Sequence, residues 1–162
     1  MATALTPLAN LTLGSAASTV TFSSISSSYR DLVLIGNFSL SANNYPWFHF
    51  NGDTGGNYSY VELGISGAPS STTGNGVTNI YFDNFTGFTS NAQFQMHILD
   101  YSATDKHKTG LLRAGDPGVG QTLATAFRYA STSALSSITL TAGFSTTKFA
   151  VGSTFALYGV SA

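Results

Sequence analysis

The side chains that could do chemistry in this chain are few enough to inspect one by one. There are three histidines, His49, His97 and His107, and seven carboxylates, of which Glu62 is the single glutamate. A metal site needs several such ligands converging on one point, and no His-x-His or His-Glu-x-x-His spacing brings two together. The histidines therefore read as packed or hydrogen-bonded residues. Serine is abundant, but Gly-x-Ser-x-Gly is absent, and a nucleophilic serine needs a base and an orienting carboxylate. A glycosidase pair would have to come from Glu62 and the aspartates. Asp53, Asp83, Asp100, Asp105 and Asp116 sit in or beside turn signals, where aspartate serves its own backbone. No cysteine is present, which removes disulfides, thiolate metal sites and cysteine nucleophiles. The expectation is a non-enzymatic protein with no catalytic, cofactor or metal residues.

Two clusters keep a binding role open. Asn51, Asp53 and Asn57 supply oxygen atoms that could ligate calcium, although EF-hand spacing is absent; the simpler reading is a loop held by Asx turns. Tyr45, Trp47, Tyr58 and Tyr60 could present rings to a sugar; the simpler reading packs them in a core or a subunit interface. Gly74-Asn75-Gly76 lacks the following lysine and helix of a phosphate loop.

The elements that would position these residues are strands. Only 8% of the 162 residues are charged, against about 25% in ordinary globular proteins. The chain carries 22 Ser, 21 Thr and 17 Gly. Good helix formers are scarce, and Thr, Val, Ile, Tyr and Phe are plentiful. With a net charge of −1, recognition of nucleic acid by phosphate neutralisation is not expected. No stretch is apolar enough to form a membrane-spanning helix, so no membrane is expected as a partner. Residues 1–18 lack both the basic residues and the continuous apolar run of a secretory signal. The neutral, hydroxyl-rich surface suits a protein that lies against other protein, because burying an unpaired charge is costly.

Period-two alternation recurs along the chain. In Tyr29–Leu40, Leu32, Leu34, Phe38 and Leu40 share a face, and Val33 and Ile35 make the other face partly apolar, so this strand belongs inside a sheet. Trp47–Asn51 and Tyr58–Ile65 read as the two arms of a hairpin, the second with Val61, Leu63 and Ile65 on one face. Gly67–Gly76 reads as a long loop and Val77–Phe82 as a short strand. Further strands are expected at Gln93–Tyr101, Lys106–Arg113, Ser137–Ala142 and Thr154–Val160. Gln121–Ala130 fits helix or strand by periodicity, and its threonines favour strand. The result is an all-β chain, a two-sheet antiparallel β-sandwich of the jelly-roll-like kind, with residues 19–162 as one domain. Leu32, Leu34, Phe38, Phe94, Met96, Ile98, Ile138, Leu140, Phe155 and Leu157 should face inward. Residues 1–18 form either an N-terminal arm or a first strand. As an arm, Leu5, Leu8, Leu11 and Leu13 would be its partner-binding residues, adding backbone hydrogen bonds to a neighbour's sheet edge.

Four segments, read in order, resemble a family of small bacteriophage virion proteins. They are Tyr29-Arg30-Asp31-Leu32-Val33-Leu34; Phe50-Asn51-Gly52-Asp53 with Asn57-Tyr58; Ile98-Leu99-Asp100-Tyr101-Ser102 followed by Lys106 and Lys108; and the closing Gly152-Ser153-Thr154-Phe155-Ala156-Leu157-Tyr158-Gly159-Val160. The resemblance implies a virion component made in the host cytoplasm, with no catalytic motif to carry over. The expected role is a head decoration or cement protein, a homo-oligomer (a trimer by capsid geometry) bound to the major capsid protein or other virion proteins. The alternative is a receptor- or glycan-binding domain of a tail or head appendage.

Overall fold

A computed structural model describes residues 5–82, 88, 91–118 and 120–161. It contains twelve strands: β1 (Leu5–Thr12), β2 (Thr19–Phe22), β3 (Asp31–Phe38), β4 (Trp47–Phe50), β5 (Tyr58–Ser66), β6 (Ala68–Val77), β7 (Ile80–Tyr81), β8 (Ala92–Leu99), β9 (Lys108–Asp116), β10 (Gln121–Tyr129), β11 (Ile138–Thr141) and β12 (Thr154–Val160). They form an eight-stranded sheet, β1-β12-β3-β8-β9-β10-β5-β6, and a four-stranded sheet, β2-β11-β4-β7. Among the described residues the strands of both sheets pair antiparallel. The chain is a jelly-roll-like β-sandwich that passes repeatedly from one sheet to the other. Only β5–β6 and β8–β9–β10 are consecutive hairpin strands of one sheet.

Alternating burial is the reason these segments settle as strands. In β10 every second residue from Gln121 to Tyr129 is buried, and the strand is hydrogen-bonded on both edges, to β9 and β5. That two-sided pairing decides between helix and strand where periodicity alone did not. All ten residues expected to face inward are buried, none more than 3% exposed. The centre is aromatic. Phe38 has the rings of Phe82, Phe88, Phe94, Phe149 and Phe155 within 6.5 Å. Such ring pairs add roughly 0.5–1.5 kcal/mol each beyond the area they bury. Gly36 is required here, because a Cβ would lie 2.1 Å from the Phe94 ring.

Several local expectations are corrected. Trp47–Phe50 and Tyr58–Ser66 are not a hairpin: β4 pairs with β11 and β7, while β5 pairs with β10 and β6. The intervening loop carries the chain between sheets, because Phe50 and Tyr58 both have to reach the core between them. The Gly67–Gly76 region is not a loop but β6, paired with β5 along its length. An edge strand needs hydrogen-bonded backbone and little side-chain burial, which Ser and Thr satisfy. Leu5–Thr12 pairs with β12 of the same chain, with a bulge between Pro7 and Ala9. The bulge lies beside a proline that can donate no ladder hydrogen bond, and it switches which residues face the core.

Leu34 is fully buried in β3. Replacing it with Ala should destabilise the protein by about 2–5 kcal/mol through lost transfer energy and a cavity, read as a lower urea midpoint at unchanged slope.

Candidate functional site

At one end of the sandwich the loops are tied together by polar side chains. Asn51, at φ 54°, donates through Nδ2 to Ala134 O at 2.9 Å. Its Oδ1 accepts from the backbone N–H groups of Ser136 and Ser137, at 2.8 and 3.2 Å. Asp53 accepts from Gly55 N at 2.7 Å, Asn57 Nδ2 at 2.9 Å and Tyr129 Oη at 2.9 Å. Tyr58 Oη donates to Asp53 O at 2.9 Å and accepts from Phe50 N at 3.0 Å. Tyr101 Oη donates to Ser26 O, and Leu135 N–H to Tyr101 O. Lys108, fully buried, donates to three carbonyls, Ala103 O at 2.6 Å, Lys106 O at 3.0 Å and Thr132 O at 3.3 Å.

These groups are therefore engaged by the fold. The Asn51–Asn57 loop uses its side-chain oxygens on its own Gly55 and Asn57, on the backbone of Ser136 and Ser137, and on Tyr129. Among the described residues no group of three or more His, Asp or Glu could hold a metal. The Gly55 N–H is the main cause that holds the Asp53 carboxyl below its usual range, helped by Asn57 and Tyr129. Burial pulls the Lys108 ammonium below its ordinary range and pushes the Tyr58 hydroxyl up. Burial alone would raise Asp31. Its bonds to Arg30 Nε and Nη2 (3.0 and 2.8 Å) and to Asp100 N–H (2.9 Å), with His97 at 3.4 Å, outweigh that and lower it. His107 Nδ1 accepts from Arg128 Nε at 3.1 Å. His49 stands half-buried on the other sheet, its pKa lowered by burial. The three histidines do not converge.

The four aromatics do not form one platform either. Tyr58 is buried, its ring stacked 4.9 Å from Tyr129, and Tyr60 packs against the core. Trp47 lies on the outer face of the four-stranded sheet, with Phe144 at 4.8 Å and Tyr81 at 5.6 Å between ring centroids. The four leucines also separate. Leu13 is buried and Leu8 packs against the core, which leaves Leu5 and Leu11 exposed.

The candidate interface is a surface the sequence reading missed, the outer face of the eight-stranded sheet. The shared face expected for Val61, Leu63 and Ile65 in β5 is the outer one. The strand points them at solvent, 45%, 61% and 38% exposed, and buries Glu62 completely. Glu62 is opposite Thr125 across the ladder and accepts its hydroxyl at 2.6 Å. The register with β10 and β9 places Val61, Ala126 and Leu111 in one row and Leu63, Ala124 and Arg113 in the next. Leu111 and Leu99 are also half-exposed, and small Ala side chains between these residues leave an open apolar groove of about 530 Å³. The one signal available in the sequence was the Glu62 position between Val61 and Leu63, which forces either the charge or the aliphatics outward. Period two cannot say which.

Asp53→Ala should lower stability by about 1–2 kcal/mol, since three donors lose their acceptor. Asp53 has a depressed folded pKa, so its stabilising contribution is complete above its unfolded pKa of about 3.9 and is lost as pH falls through the folded value. The wild-type melting temperature should therefore fall more steeply below about pH 4 than that of Asp53→Ala.

No family model matches the chain, and no curated protein matches it. Among solved structures it is similar to the Caenorhabditis elegans galectin LEC-6, with 11% identity and a TM-score of 0.39 over 94% of this chain and 96% of that one. It is also similar to a mutant alginate lyase Aly36B in complex with an alginate tetrasaccharide, with 8% identity and a TM-score of 0.32 over 94% of this chain and 80% of that one.

Proposed function

We propose that the chain is a non-enzymatic structural component of a bacteriophage virion, a head decoration or cement protein that seats on capsid subunits and holds neighbouring ones together. The observation that carries this reading is the outer face of β5, with Val61, Leu63 and Ile65 exposed beside Leu111 and Leu99 while the one glutamate is buried. A β-sandwich with the opposite parity would have hidden the aliphatics and wetted the charge. An exposed contiguous apolar face is the signature of an interaction surface. The polar side chains at the loop end, by contrast, are bonded within the protein itself.

Size argues for many weak attachments. The apolar part of the face spans four strands and four outward rows, roughly 14 by 20 Å from strand spacing and rise. That is well short of the roughly 800 Å² per partner of a stable standard interface. A homo-oligomer, a trimer on this reading, would bind several capsid subunits at once and multiply modest contacts.

A receptor- or glycan-binding domain of a virion appendage is the second reading, and the Trp47–Tyr81–Phe144 group favours it. Phe144 is 51% exposed there, and rings presented to solvent can stack on sugars.

Quantitative mass spectrometry of purified particles of the encoding virus tests the proposal. A decoration protein should be present at hundreds of copies per particle. A few to tens would favour the appendage, and absence from the particle would overturn both.

A further inference from the structure

The charges on the outer face of the eight-stranded sheet are segregated. Arg113 and Arg128 point outward from β9 and β10. Arg113 Nη2 donates to Gln95 Oε1, and Arg128 donates through Nε to His107, so neither guanidinium has a carboxylate partner. Among the described residues no strand of this sheet presents an exposed carboxylate on this face; the exposed Asp100 and Asp105 lie in the loop between β8 and β9, beside Lys106. Asp31 is 2% exposed and bound by Arg30, and Glu62 and Asp116 are buried on the core side. Leu111 lies between the two arginines: Arg113 follows it by one outward position, and Arg128 sits opposite Thr109, one outward position before it. The arginines are thus roughly 14 Å apart along the strands, with exposed aliphatics between them.

On the reading that this face attaches the protein, we propose that its partner is a different protein that presents a protruding apolar side chain flanked by Asp or Glu carboxylates. The apolar group enters the groove walled by Val61, Leu99 and Leu111, and the carboxylates meet Arg113 and Arg128. Charge complementarity selects this occupant. A second copy docked by a two-fold axis would set this face against itself. Four guanidiniums would then be partly desolvated with no carboxylate to receive them, a costly arrangement. An anionic membrane is disfavoured for another reason. Two fixed cations supply little attraction to a lipid surface, and the exposed aromatic group of Trp47, Tyr81 and Phe144 is built on the four-stranded sheet instead.

The test uses particles grown from a genome with a stop codon in this chain's reading frame, to which the purified full chain is added back. Two double variants are compared with wild type, Arg113→Glu with Arg128→Glu, and Leu63→Ser with Leu111→Ser. All four side chains face solvent, so melting temperatures should be unchanged; the milder pair Arg113→Gln with Arg128→Gln replaces any variant that fails to fold. Each double variant should weaken retention on particles by about 100-fold. Wild-type retention should fall as NaCl rises from about 50 to about 500 mM, and that of the glutamine pair should stay nearly flat. Variants that bind as wild type would overturn the face assignment while leaving a virion role intact. No retention of wild type would overturn both. Loss of self-association with particle binding unaffected would make a second copy the occupant. Variant-sensitive binding to phosphatidylserine vesicles, with none to particles, would make it a lipid surface. Either of these last results would overturn the proposal.

Discussion

The loop end of the sandwich depends on one arrangement: polar side chains that close the structure, mostly by bonding the backbone of neighbouring loops. Lys108 is the extreme case. A buried ammonium that forms no salt bridge among the described residues is held by three carbonyls from two loops. Asn51, Asp53, Tyr58 and Tyr101 do the same work with amide, carboxylate and hydroxyl groups. A chain with so few charges has little else with which to fix four loops.

The large sheet answers a different constraint. Its inner face is set by the aromatic core, and each strand has one parity available once that face is chosen. In β5 the parity follows Tyr58, whose hydroxyl is tied to Phe50 and Asp53. With Tyr58 inward, Tyr60 and Glu62 follow, and Val61, Leu63 and Ile65 are turned to solvent. Glu62 is tolerated inside because Thr125 faces it across the ladder. The exposed aliphatic face is thus built into the register and cannot be relieved by a local change of side-chain conformation. A one-residue slip would reverse every side chain of the strand.

Much of the core was legible in the sequence. The alternation in Leu32–Phe38, Phe94–Ile98, Ile138–Leu140 and Phe155–Leu157 marks strands with one buried face, since period two and burial are the same fact in a sheet. The candidate interface was not legible. It required knowing that β5 lies between β10 and β6, far in sequence from the residues that complete the face. The N-terminal leucines show the same limit, because a bulge beside Pro7 alters the face each one occupies.

By itself the sequence determined composition-level properties and local periods: an all-β chain with few charges, a core of alternating apolar residues, and turns built from Asn, Asp and Gly. These depend on neighbours within a few residues. Tertiary structure alone decided which strands pair, which face of β5 is wet, and that Gly67–Gly76 is mostly edge strand rather than loop. Such choices rest on hydrogen bonds and contacts between residues tens of positions apart, such as Thr125 with Glu62 and Asn51 with Ser136. A local pattern is compatible with either outcome until those partners are in place.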